Sequence, residues 1–218
     1  MYITELETPA VLLDLDIAEK NLQTYQQACD KYEKSLWPMV KTHKSSYLLK
    51  KQMELGAEGF LCGTIDECEM AVAAGAGKIM YAYPPANPKN ISRLAALAHQ
   101  ADVIIRIDHL DVAHMLESAA EKEGITFFYS IIVDMDFHRF GIAPSKVVAF
   151  AQEMQQFSHL KFFGISTHPG QVYGCTTEEE RQSVAKLETE TMGSVAADLK
   201  AAGFTDFFVT SGSTPTFA

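Results

Sequence analysis

FFYSIIVD, residues 127–134, is apolar almost from end to end and shows no alternation of apolar and polar positions. Successive side chains of a strand point to opposite faces, so a strand with one wet face alternates, while one covered on both faces does not. Strands of the second kind belong in parallel sheets. VIIRI, residues 103–107, reads the same way. Working outward from these two, apolar runs recur at 11–16, 36–41, 59–63, 78–83, 102–108, 126–134, 161–167 and 204–211. The stretches between them, such as 17–32, have helical periodicity, and no Ser/Gly linker or low-complexity tract divides the chain. This βα alternation predicts an α/β fold of the (β/α)8 TIM-barrel type, one that could be incomplete at the C-terminus, with a doubly wound open sheet as the alternative.

Gly56, Gly75, Gly124 and Gly203 each stand just before an apolar run, where a left-handed residue closes the preceding helix. Helix ends therefore gather at one face of the sheet. The opposite strand ends carry Lys41, Thr64, Pro84, Asp108, Asp134 to Arg139, His168 and Ser211 to Thr214. In a parallel βα barrel that is the face on which chemistry is built.

With 218 residues, of which 47% are hydrophobic, the chain can bury one sizeable core. Its net charge of −10 opposes binding to nucleic acid or to an anionic membrane surface. No apolar run approaches the length of a membrane span, and the start MYITELETPAVLL lacks the basic region of a signal peptide, which predicts a cytoplasmic protein. Cys29, Cys62, Cys68 and Cys175 show neither CxxC spacing nor disulfide density and read as reduced thiols.

Four stretches could carry chemistry. In LWPMVKTHKSS, 36–46, an apolar run read as a strand ends on Lys41, with Trp37, Met39 and Lys41 on one face. An amine at the end of an apolar strand can be partly desolvated and so activated towards a carbonyl, forming a Schiff base; the plain alternative is a solvated lysine. Lys44, three residues on, is a weaker candidate. SGSTPT, 211–216, offers a glycine, small hydroxyls and successive N–H groups suited to a phosphate, or else a simple turn. In IIVDMDFHRFGI, Asp134, Asp136 and His138 alternate and could share a side if extended, but no second ligand pair supports a metal there. Arg139 follows and could donate to a phenolate or carboxylate. THPGQVYG, 167–174, sets His168 at a strand end with Tyr173 close behind. There is no GxSxG elbow, no GxGxxG after the first apolar run and no P-loop.

Taken together and in this order, TPAVLLDLDIAEKN, PMVKTHKS, DMDFHRFG, THPGQVYG and SGSTPT resemble the pyridoxal-phosphate enzymes of the alanine-racemase-like barrel type, in particular the D-threonine aldolase and D-serine dehydratase branch. The resemblance runs nearly end to end. It implies a cofactor, pyridoxal 5'-phosphate, joined to Lys41 as a Schiff base, with its phosphate on Gly212, Ser213 and Thr214. It also implies Arg139 near the phenolic oxygen, and His168 and Tyr173 near the pyridine ring. Residues 1–218 would correspond to the N-terminal cofactor-binding barrel domain, without the C-terminal β domain that holds the branch's divalent-metal ligands. The implied activity is aldol cleavage, racemisation or dehydration of an amino-acid substrate in a homodimer, and a non-catalytic pyridoxal-phosphate carrier is the alternative. Trp37 and Met39 stand where the branch usually has arginine and histidine, and Asp136 where it usually has glycine.

Overall fold

Six parallel strands form one sheet in strict chain order: β1 (Phe60–Cys62), β2 (Lys78–Tyr81), β3 (Asp102–Ile107), β4 (Phe127–Ile132), β5 (Leu160–Ser166) and β6 (Phe208–Thr210). The structure, a computed structural model, describes residues 2–217. Among the described residues seven α-helices accompany the sheet: α1 (Leu15–Lys31), α2 (Ser46–Leu55), α3 (Ile65–Ala73), α4 (Pro88–Ala98), α5 (Leu110–Glu123), α6 (Val147–Met154) and α7 (Glu178–Ala201). None is long and apolar enough to cross a membrane.

Pleating sorts each strand onto two faces. Val103, Ile105 and Ile107 of β3, with Phe127, Tyr129 and Ile131 of β4, join the core beneath the helices. Alternation turns Ile104, Arg106, Phe128, Ser130 and Ile132 to the concave side. Thr64, Asn87 and His109 cap α3, α4 and α5, each side chain accepting a first-turn N–H, so these helices start where a strand has just ended. Gly56 and Gly124 end α2 and α5 with φ of +112° and +63°, as the sequence predicts.

The prediction of eight strands is corrected to six among the described residues. Residues 11–16 form no strand: Val11, Leu12 and Leu13 are exposed, and Asp14 caps α1. Residues 36–41 run beside β1, with Glu58 N–H donating to the Leu36 carbonyl and Leu61 N–H to that of Pro38. That pairing stops at a single bridge, Met39 to Leu61. Pro38 has no N–H to return, and residues Val40–Thr42 coil into a 3-10 turn. The run at 204–211 narrows to β6, because Phe204 turns into the core and Asp206 adopts φ +55°. The result is a parallel α/β half-barrel whose two edge strands, β1 and β6, do not pair. Between them lies a cavity of about 860 Å³ lined in part by Tyr25, Trp37, Met39, Arg106, Val209 and Phe217.

One close approach seats the last strand. A Cβ on Gly164 would lie 1.9 Å from the Phe208 carbonyl oxygen, and at this point the β4–β5 register slips between Tyr129 and Ser130. Beside it the Phe163 and Phe208 rings stack with centroids 4.7 Å apart. Gly164→Ala must push β6 away from β5, and a loss of roughly 3 kcal/mol or more in urea unfolding is expected. An unchanged midpoint would show that β6 does not dock this way.

Candidate functional site

The rim formed by the strand ends collects the polar groups. Lys41 sits within the Val40–Thr42 turn, exposed, and among the described residues its side chain has no ion pair or hydrogen bond. The expected strand face shared with Trp37 and Met39, and the partial desolvation, are therefore not found, since the chain is already coiled at this position. Lys44 is engaged elsewhere: its Nζ lies 3.7 Å from the buried Glu67 carboxylate, which also accepts the Gly63 N–H at 2.7 Å. Of the two amines, Lys41 is the one left facing the rim.

After β4 the chain forms a closed loop. Asp134 N–H donates to the Ile142 carbonyl, Ile142 N–H to that of Ile132, and Gly141 N–H to Asp108 Oδ2 at 2.8 Å. Asp136 and His138 take left-handed φ of +63° and +52°, so the alternating arrangement of Asp134, Asp136 and His138 read from the sequence is corrected to a turn. Asp134 accepts from the His138 backbone N–H at 3.0 Å and meets its Nδ1 at 2.8 Å, binding the loop together. Among the described residues no group of three or more His, Cys, Asp or Glu could hold a metal ion. The left-handed backbone at 136 also accounts for a preference for glycine there, and aspartate is among the few residues that tolerate it.

This loop presents Arg139 among three rings, with its guanidinium carbon 5.0 Å from the centre of Phe137, 5.4 Å from Phe140 and 5.7 Å from Tyr83. The Phe137 ring meets His168 edge-on at 6.2 Å. His168 Nδ1 approaches the Gly212 carbonyl at 3.4 Å, a contact that requires the proton on Nδ1 and leaves Nε2 as an acceptor. Burial lowers the His168 pKa, the Gly212 contact opposes this, and the positive charges of Arg139, Arg106 and Lys41 lower it further. The imidazole is thus held neutral within reach of three cations. Arg139, His168 and Gly212 are brought together, and Lys41 is close enough for its charge to act on His168. Tyr173 is less involved: it lies 6.1 Å from the His168 ring and is 65% exposed.

Gly212, with φ +128°, opens the loop after β6, and no atom lies within 4 Å of where a Cβ would stand. Ser213 and Thr216 hold the loop closed, their hydroxyls 3.0 Å apart. Beneath it α7 contributes Glu188, which is buried with no donor to its Oε1. Two buried groups here were not singled out from the sequence, Glu188 and Arg106. Arg106 donates from Nε to Ser166 Oγ at 2.8 Å. Its signal was a charged residue in the middle of an otherwise apolar strand.

The chain matches the model for the alanine racemase N-terminal domain over residues 13–218. It belongs to that family. The family is pyridoxal-phosphate dependent. Within it, the chain is 31% identical over 214 residues to D-threo-3-hydroxyaspartate dehydratase from Delftia sp. (strain HT23), covering 97% of this chain and 56% of the relative. Identity to D-threonine aldolase from Arthrobacter sp. is 28% over 213 residues, with 97% and 56% covered. The crystal structure of D-threonine aldolase from Filomicrobium marinum superposes with a TM-score of 0.94 at 26% identity, covering 99% of this chain and 58% of that one. The chain thus spans little more than half the length of the relatives it matches.

Burial raises the Glu188 pKa, while the Thr216 hydroxyl, the Gly212 N–H and the Ser211 hydroxyl around it pull the other way. A raised pKa means that the folded chain keeps a proton that the unfolded chain has already lost. Stability therefore falls as pH rises from the ordinary carboxylate range through the folded value. Glu188→Gln is expected to match the parent in urea midpoint at about pH 4 and to exceed it at about pH 8. Equal midpoints at both would remove the buried carboxyl from the account of this loop.

Proposed function

We propose that the chain is the cofactor-binding barrel domain of a pyridoxal-phosphate-dependent enzyme acting on amino acids. The reaction we favour is retro-aldol cleavage of a β-hydroxy D-amino acid, with dehydration or racemisation of the same substrate class as neighbouring outcomes. The observation that carries this reading is the unpaired Lys41 amine on the rim, its charge felt by a neutral His168 that itself touches the Gly212 backbone. Family membership gives the same direction.

The residues present fit the cofactor. Gly212 offers an open, side-chain-free approach at a φ suited to glycine, Thr214 adds a hydroxyl, and Ser213 would turn its N–H and hydroxyl from Thr216 to a phosphate. When bound, pyridoxal phosphate withdraws electrons from the Cα of an attached amino acid, so that a bond to that carbon breaks more readily. The protein's part is to hold, orient and move protons. Lys41 Nζ would be the amine that holds the cofactor's aldehyde carbon, with loss of water, and as a free amine it would accept or return a proton at the same atom. Arg139, among its three rings, would donate to the phenolic oxygen, keeping its charge throughout. His168, with Nδ1 turned to the Gly212 carbonyl, would offer Nε2 to the pyridine ring, and Tyr173 would stand outside it.

The whole protein we take to be a cytoplasmic homodimer with a closed (β/α)8 barrel and a further β domain, in which any divalent metal is held by residues beyond those described. Incubation with pyridoxal phosphate followed by borohydride should leave a stable label that peptide mapping assigns to Lys41, and Lys41→Ala should reduce it to background. A label spread over other lysines would defeat the assignment. D-threonine cleavage, assayed with and without a divalent metal, then separates an enzyme from a carrier: specific labelling with no turnover favours the carrier.

A further inference from the structure

Arg106 is 95% buried by its 5% residual exposure, and among the described residues it has no acidic partner. Its one hydrogen bond uses Nε, donating to Ser166 Oγ at 2.8 Å, and no described group accepts from the two terminal nitrogens. The carboxylates nearest the rim are committed elsewhere, Asp108 to the Gly141 N–H and Asp134 to His138. Arg106 instead faces two open spaces: the large cavity of the half-barrel, and a recess of about 20 Å³ that it shares with Arg139, His168, Phe137 and Phe140. Burial and the neighbouring Arg139 charge push its pKa down to about 10, against the opposing pull of Tyr83 and Asp108, and it stays well above neutrality. A buried cation without a counter-ion is among the most costly arrangements in a protein interior, and replacing it with an apolar side chain of similar size removes that cost. The one hydrogen bond to Ser166 and the charge of Asp108, which makes no ion pair with it, offset only part of that cost.

We propose that Arg106 is a ligand-binding residue, whose free terminal N–H groups donate, in the small recess it shares with Arg139 and His168, to an anionic oxygen of the molecule that occupies the rim. The recess has room for about one oxygen-sized group, and Arg139 and His168 border it with Arg106. The oxygen belongs either to the cofactor ring or to a substrate carboxylate. This inference rests on the reading of the rim as a cofactor site only for the ligand's identity.

The test measures thermal unfolding of the parent, Arg106→Met and Arg106→Lys with two probes that lack an aldehyde. These are pyridoxine 5'-phosphate, which carries a phenolic oxygen, and malonate, which offers only carboxylates. Without a probe, Arg106→Met should melt above the parent, since it removes an unpaired buried charge. The parent should gain stability from at least one probe, and Arg106→Met should bind that probe about tenfold more weakly or worse, with Arg106→Lys in between. Response to pyridoxine 5'-phosphate alone assigns the oxygen to the cofactor; response to malonate assigns it to substrate. Three results would overturn the proposal: a lower melting point for Arg106→Met without probe, equal affinity of parent and Arg106→Met, or no response of the parent to either probe. Neither probe can be captured by Lys41, so failed labelling at Lys41 and failure at Arg106 are read independently.

Discussion

The parallel ladder of β3, β4 and β5 is the constraint from which the rest follows. In register, Arg106 pairs with Ser130, and Ser130 with Gly164, so three strands far apart in sequence are brought to one level of the sheet. Because all strands run the same way, their C-terminal ends share one rim. Each following loop starts from a buried, hydrogen-bonded platform and cannot move far from it. His168 reaches the Gly212 backbone because β5 and β6 pair side by side, from Gly164 with Phe208 to Ser166 with Thr210.

Electrostatics at this rim run against the charge of the molecule. The chain carries a net charge of −10, yet Lys41, Arg106 and Arg139 converge on one neutral histidine. The acids that could neutralise them are turned inward to backbone N–H groups or to His138. Such an arrangement weakens the empty fold and favours whatever negative group fills it. Glu188 does the opposite under the Gly212–Thr216 loop, where a buried carboxyl disfavours a second negative charge unless it keeps its proton. Stability and binding thus pull in different directions at both ends of the site.

Much of this was legible in the sequence. Continuous apolar runs identify buried parallel strands, because a two-sided environment leaves no polar alternation, and FFYSIIVD became β4 for that reason. The glycines at helix ends were readable because only a residue without a side chain takes the left-handed turn cheaply. The motif order gave the family. What failed has equally local causes. LWPMVK looks like a strand in composition, but Pro38 lacks the donor that would sustain pairing, so Lys41 lies in a turn. Alternation of Asp134, Asp136 and His138 suggested an extended line, but a left-handed backbone at two of the positions folded it into a loop. Arg106 was passed over because an apolar average conceals one charged residue, although a charge inside a buried strand is the rarer and more informative feature.

Trp37 has a further consequence. It is the chain's single tryptophan, it covers Gly59 so closely that a Cβ there would lie 2.5 Å from its ring, and it packs edge-on to Phe163 at 5.8 Å. It also lines the large cavity, four residues ahead of Lys41. Its emission therefore comes from one known position on the wall of that cavity, with no second indole to dilute it. A bound chromophore that absorbs in the near ultraviolet would quench that light by energy transfer, so the molecule carries its own optical gauge of occupancy.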